Sequence, residues 1–226
     1  MKVISEIDRR TNVDVVYDYL YEEITSMRLL PGAKLSEADT AKLFGISRQP
    51  VRDAFSRLEN QDLLLIRPQK STEVKRFSST AITTARFVRA AVEAEVIRRA
   101  ASVCTEKDAQ MLNNKLDEQR VAVQDGDFEL FRTLDYAFHN ALCIVGQVDF
   151  AADVIKQNKA KVDRLCVLGL SRNEKLEQLL EDHACIVKSI SDNDEESAVK
   201  YGMLHLSRLD TTIEAIRREH ADYFQD

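Results

Sequence analysis

At 226 residues the chain is long enough for two domains, and its 44% hydrophobic and 31% charged content is that of a globular protein. No apolar run approaches a membrane span and no signal-peptide core opens the sequence, so residence in the cytoplasm is expected and a membrane partner is not. The formal charge of −6 is unevenly spread: residues 42–76 hold 8 Lys/Arg against 4 Asp/Glu, whereas residues 78–226 hold 19 against 26. A basic patch is therefore concentrated in the first third of an otherwise acidic chain.

Residues 1–10 read as an arm. Val13, Val16, Tyr17, Leu20, Ile24 and Met27 share one face of a helix over Asn12 to Arg28, which Leu30-Pro31-Gly32 stops. Ala33 to Leu35 reads as a short strand and Glu37 to Phe44 as a short helix. Gly45 can take the left-handed conformation that a tight turn needs. In the next run, SRQPVRDAFSRL, Val51, Ala54, Phe55 and Leu58 fall at i, i+3, i+4 and i+7, an apolar stripe for packing. Arg48, Gln49, Arg52 and Ser56 lie on another face, Ser47 is placed as N-cap, and Pro50 sits in the first turn. Leu63 to Arg67 and Thr72 to Phe77 read as two strands around a turn of Pro68, Gln69, Lys70 and Ser71. An amphipathic surface helix with solvated arginines would explain Ser47 to Leu58 alone. Helix, Gly turn, helix and hairpin in that order instead predict a winged helix-turn-helix over residues 1–77. In such a unit Ser47, Arg48, Gln49 and Arg52 meet the base edges and phosphates of double-stranded DNA, with Lys70 and Ser71 at the wing.

The three prolines all lie at or before Pro68, so residues 78–226 should be mainly helical. Helices are expected at about 79–102, 105–125, 127–146, 149–169, 173–191 and 194–220, forming an all-α antiparallel bundle. Ser78, Ser79 and Thr80, Thr105 with Asp108, and Asp192 to Glu196 mark helix starts, while Asp125-Gly126-Asp127 is a stop followed by a new cap. Cys104, Cys143, Cys166 and Cys185 form no CxxC pair and read as free thiols.

All four histidines lie in this second part. Asp135 and His139 are four apart on one helix, so both can reach one atom. His183 and His205 each sit mid-helix among apolar residues. Three imidazoles and a carboxylate suit a divalent cation such as Zn, Ni or Mn, whereas hydrogen-bonded core histidines are the alternative. Cys143, four after His139, reads as packing, and His220 as solvated near the C-terminus.

These features together resemble the GntR family of bacterial transcription regulators, in its FadR branch with the all-helical FCD effector domain. The resemblance rests on LLPGAKLSE, AKLFGISRQPVRDAFSRLE and the strand pair around Arg67 to Val74. In the helical part it rests on VRAAVEAEVIRRAA, DFELFRTLDYAFHNAL, EDHACIVKSI and MLHL. It implies a homodimer that reads a near-palindromic operator and responds to a small carboxylate effector. It also implies a divalent metal ion on Asp135, His139, His183 and His205, and an effector carboxylate held by Arg89 with Glu93 one turn later. An Arg89–Glu93 surface pair is the plainer reading of those two residues. The sequence departs from the family where Ala38 replaces an arginine, Ser71 a wing glycine, and Gln147 an asparagine. A metal-dependent hydrolase or hydratase, and a constitutive DNA binder with a structural metal, are the rival classes; the chain is expected not to be an enzyme.

Overall fold

The computed structural model describes residues 11–67, 70–169 and 173–225, so the arm at 1–10 and the turn residues Pro68 and Gln69 lie outside the described residues. It divides into two units: residues through Phe77 with the tail from Asp222 onward, and Ser78–Ala221.

In the first unit, Thr11 and Asp14 cap α1 (Asn12–Thr25) reciprocally through side chain and backbone. The helix is shorter than its apolar face predicts, because Met27 takes a positive φ of 60° and Arg28 folds back onto Glu22 and Glu23. α2 (Glu37–Phe44) ends at Gly45, whose φ of 65° fills the left-handed C-cap, and α3 (Arg48–Asn60) follows. Ser47 stands at the N-cap of α3 but makes no side-chain capping bond. β1 (Lys34–Leu35), β2 (Leu64–Leu65) and β3 (Thr72–Val74) form an antiparallel sheet in the order β1-β3-β2, with Leu64 opposite Val74 and Leu35 opposite Thr72. The strands are shorter than the apolar runs that announced them.

Val16, Leu20 and Ile24 of α1 bury against Val51, Ala54, Phe55 and Leu58 of α3, with Leu64 and Val74 closing the core. Full burial of each such side chain is worth about 1.5–3 kcal/mol. This packing turns the opposite face of α3 to solvent. The tail returns to the same unit: Phe77 N–H donates to Tyr223 O at 2.8 Å, Gln225 N–H to Phe77 O at 3.0 Å, and the Phe77 and Phe224 rings lie 5.4 Å apart.

In the second unit α4 (Ser79–Val103), α5 (Glu106–Gln124), α6 (Phe128–Val145), α7 (Ala151–Gly169), α8 (Asn173–Ser191) and α9 (Glu195–Glu219) occupy the predicted helical spans. Ser78, Thr105, Asp127 and Asp194 accept capping bonds from their helices' first turns. Val96, Ile97, Phe138, Leu142, Ile186 and Ile190 centre the core. α6 lies close along α4: a Cβ on Gly146 would stand 3.0 Å from the Val96 carbonyl oxygen. His220, expected in solvent, is half-buried at the C-cap of α9, where its N–H donates to Ile216 O at 2.8 Å. All four cysteines are free, with Cys143 buried in the core. Among the described residues no helix is long and apolar enough to cross a membrane.

Candidate metal centre and DNA-reading surface

Three helices each carry part of one buried cluster. Asp135 and His139 project from α6, His183 from α8 and His205 from α9, and a ligand atom of each lies within 4.8 Å of the others. Each residue sits on the apolar stripe of its helix, so packing the bundle core brings the four together. His183 Nε2 is 3.4 Å from His205 Nε2 and 3.4 Å from Asp135 Oδ1, and His139 Nε2 is 3.7 Å from the same oxygen. Ligands about 2.1 Å from a tetrahedral zinc ion stand about 3.4 Å apart.

The neighbours decide which nitrogens are available. Gln119 of α5, fully buried, donates its amide to Leu134 O at 3.4 Å, so its carbonyl oxygen faces His183 Nδ1 at 2.8 Å. His183 Nδ1 must therefore carry the proton, leaving the Nε2 lone pair facing the cluster. Glu93 Oε2 approaches His139 Nδ1 to 2.6 Å, although neither atom makes an aligned hydrogen bond. His205 Nδ1 lies 4.0 Å from Asp182 Oδ2, and Arg208 of α9 grips that carboxylate with two bonds of 3.0 Å.

Burial pushes the His183 pKa down to about 3 and moves that of His205 well below its ordinary value. Both are therefore neutral, with basic nitrogens facing one point. With its proton on Nε2, His205 donates to His183 Nε2 at 3.4 Å; with its proton on Nδ1, both lone pairs face the point a cation would take, and His139 Nε2 is buried with no hydrogen-bond partner. The donor set thus fits a borderline divalent ion.

A cavity of about 220 Å³ is bounded by this cluster through Asp135 and His205 and lined by Arg89 and Lys159. Arg89 is buried rather than part of a surface pair, and it donates to Glu93 Oε1 at 2.7 Å. Burial alone would raise the Glu93 carboxyl, but His139 and Arg89 hold it well below the usual range. Glu93, expected beside an effector, does not line the cavity; it spans Arg89 and His139 instead.

Lys159 of α7 escaped the sequence reading. Its ammonium lies 3.0 Å from Asp135 Oδ2 and 2.9 Å from Asp163 Oδ1, and 4.3 Å from the centre of the Tyr136 ring. Burial would lower its pKa, yet the two carboxylates keep it charged and move the value up. Gln119, Asp163, Asp182 and Arg208 were also missed. Their available signal was a polar residue placed on an otherwise apolar stripe, as Gln119 is after Leu112 and Leu116.

In the first unit Ser47, Arg48, Gln49, Arg52, Lys70 and Ser71 are all exposed. Gln49 donates to Asp53 Oδ1 at 2.8 Å. Arg52 is not free: its Nε and Nη2 donate to Glu37 of α2 at 3.2 and 2.9 Å.

Comparison with known proteins places this arrangement. Residues 12–74 match the bacterial regulatory proteins of the gntR family, and residues 85–208 match the FCD domain. An Escherichia coli protein described as the HTH-type transcriptional repressor RspR is 33% identical over 211 residues, covering 93% of this chain and 92% of its own. A probable D-xylose utilization operon transcriptional repressor of Paenarthrobacter nicotinovorans is 26% identical over 85% of this chain and 84% of its own. In fold, the solved structure of Escherichia coli McbR/YncC superposes with a TM-score of 0.71 over 91% of this chain and 99% of that one, at 18% identity. The two repressors and the matched family are transcription regulators rather than enzymes, which sets aside the hydrolase and hydratase reading. With the FCD match spanning over half of the chain and a repressor one-third identical along nearly all of it, the protein belongs to the GntR family of bacterial transcription regulators, a winged helix-turn-helix followed by an FCD domain.

Proposed function

We propose that the protein is a homodimeric, effector-responsive repressor of the cytoplasm whose FCD domain senses a small carboxylate at a divalent metal ion. One observation carries this reading: Asp135 and His205 of the buried four-donor cluster line the same cavity as Arg89. Asp135 Oδ1 and the Nε2 atoms of His139, His183 and His205 would hold the ion, which supplies a Lewis-acidic site for a ligand oxygen. Arg89 would bind the effector carboxylate, since its planar fork matches two oxygens and a buried anion needs a charged partner. Lys159 adds a second fixed cation on the opposing helix. The exposed face of α3, with Arg48, Gln49 and Arg52, would read the major groove, with Ser47 at the helix start and Lys70 and Ser71 on the wing. Two copies would address the halves of a near-palindromic operator.

Effector binding alters DNA affinity only if the effector prefers one of two arrangements of the chain. Arg89→Ala should keep its metal and its operator affinity but lose the response to the effector. Operator titrations with and without effector test this; a variant that responds like the wild type would sink the proposal.

A further inference from the structure

The cavity has two tiers of charge. α4 and α6 run in the same direction in matched register: Glu93 meets His139, and Gly146 abuts Val96 and Ala100. Arg86 and Arg132 therefore lie at one level, three residues before Arg89 and Asp135. α9 runs opposite to α4, because Arg86 pairs with Asp210 and Ile97 meets Gly202. Arg208, three residues after His205, thus falls at the level of Arg86. Three residues of helix rise about 4.5 Å. The inner tier holds Arg89, Lys159 and the metal-facing donors; the outer tier holds Arg86, Arg132 and Arg208, and all of these cations line the cavity.

The carboxylates that accompany the outer arginines are Asp210, Glu129 and Asp182. None of them lines the cavity. The cationic side of each pair is thus turned inward. One acid does line this level, Asp163, but its oxygens already accept from Lys159 and from the Tyr136 hydroxyl. A ligand with a single acid group would leave three arginines facing an uncharged chain end.

We infer that the effector is a diacid, with one carboxylate at Arg89, Lys159 and the metal and a second acidic group about one helical turn away on Arg86, Arg132 and Arg208. This rests on the carboxylate-sensor reading and names its ligand class. An arginine can bind an outer acid group without abandoning its existing partner, because the guanidinium carries five donors.

The test is calorimetry on the Zn²⁺-loaded full chain with malonate, succinate, glutarate and adipate, each against the monoacid of the same length. At least one diacid should bind about tenfold or more tighter than its monoacid, the factor that about 1.4 kcal/mol of added charge-assisted bonding provides. Arg132→Ala and Arg86→Met should remove that preference and leave monoacid affinity unchanged. Metal content and melting temperature measured on the same samples separate a lost contact from a lost fold. Equal binding of diacids and monoacids, or a preference that survives both substitutions, overturns this inference and leaves the carboxylate-sensor reading intact. Binding of neither class to the metal-loaded protein overturns both.

Discussion

Gln119 shows how much of a candidate metal site lies outside its four donors. Its amide is oriented by the Leu134 carbonyl, and its own carbonyl then sets the tautomer of His183. Gln119→Leu preserves the approximate volume and removes that control. Metal affinity should fall about 10–100-fold, as for loss of other outer-shell partners. Chelator competition measures it, and an unchanged affinity would mean that His183 needs no partner. The same burial makes a pH prediction for metal-free protein. His183 titrates near 6.5 when unfolded and near 3 when folded, so the unfolded chain takes up the proton first as pH falls. The contribution of neutral His183 to stability is full above about pH 6.5 and declines towards pH 3. Glu93 and Asp135, whose ordinary values are 4.5 and 3.8, add their own losses only at lower pH. Melting temperature of chelator-treated protein should therefore drop between pH 7 and pH 5, and drop less in His183→Gln. A flat profile would contradict the buried neutral imidazole.

Among the elements, helices with capping residues and a clean apolar stripe were legible in the sequence. Asp127 caps α6 as Asp125-Gly126-Asp127 suggests, and Thr105 with Asp108 caps α5. Asp135, His139, His183 and His205 were legible as residues facing a core. Their convergence was not, because helical spacing fixes which face a residue takes and leaves the placement of neighbouring helices open. Arg52 was legible as exposed and basic, but its ion pair joins residues fifteen positions apart on two helices and leaves no local trace. That pair is solvent-exposed and therefore weak. Releasing it for DNA costs little, so Arg52→Ala should still lose about 1–3 kcal/mol of specific operator binding, the worth of one bidentate base contact. Binding assays at fixed salt decide it; unchanged affinity in both Arg48→Ala and Arg52→Ala would remove α3 as the reader. The departure at Gln147 also acquires a meaning. Its φ of 56° lies in the left-handed region after α6, where glycine or asparagine is favoured. Gln147→Gly should raise stability by up to about 1 kcal/mol, read as a shift in denaturation midpoint; a decrease would mean that the side chain has a use there.

At the scale of the whole molecule, the return of Phe224 to Phe77 was invisible in the sequence, since two aromatic residues 147 positions apart carry no periodic signal. The division near Phe77 was easier to see, because β-rich and breaker-rich sequence gives way there to long helices. A regulator built this way is a linkage device. An effector that changes operator affinity tenfold has a coupling of about 1.4 kcal/mol, and the operator must change effector affinity by the same factor. Arg89 and Lys159 line the same cavity as Asp135 and His205 of the candidate metal site, so the proposed sensor depends first on whether the four donors hold an ion. Elemental analysis of the purified full chain, after metal reconstitution, tests it most directly. Wild-type protein should carry about one divalent ion per chain and His183→Ala should carry almost none, at unchanged operator affinity. Equal metal in both proteins, or none in either, would contradict the four-ligand site.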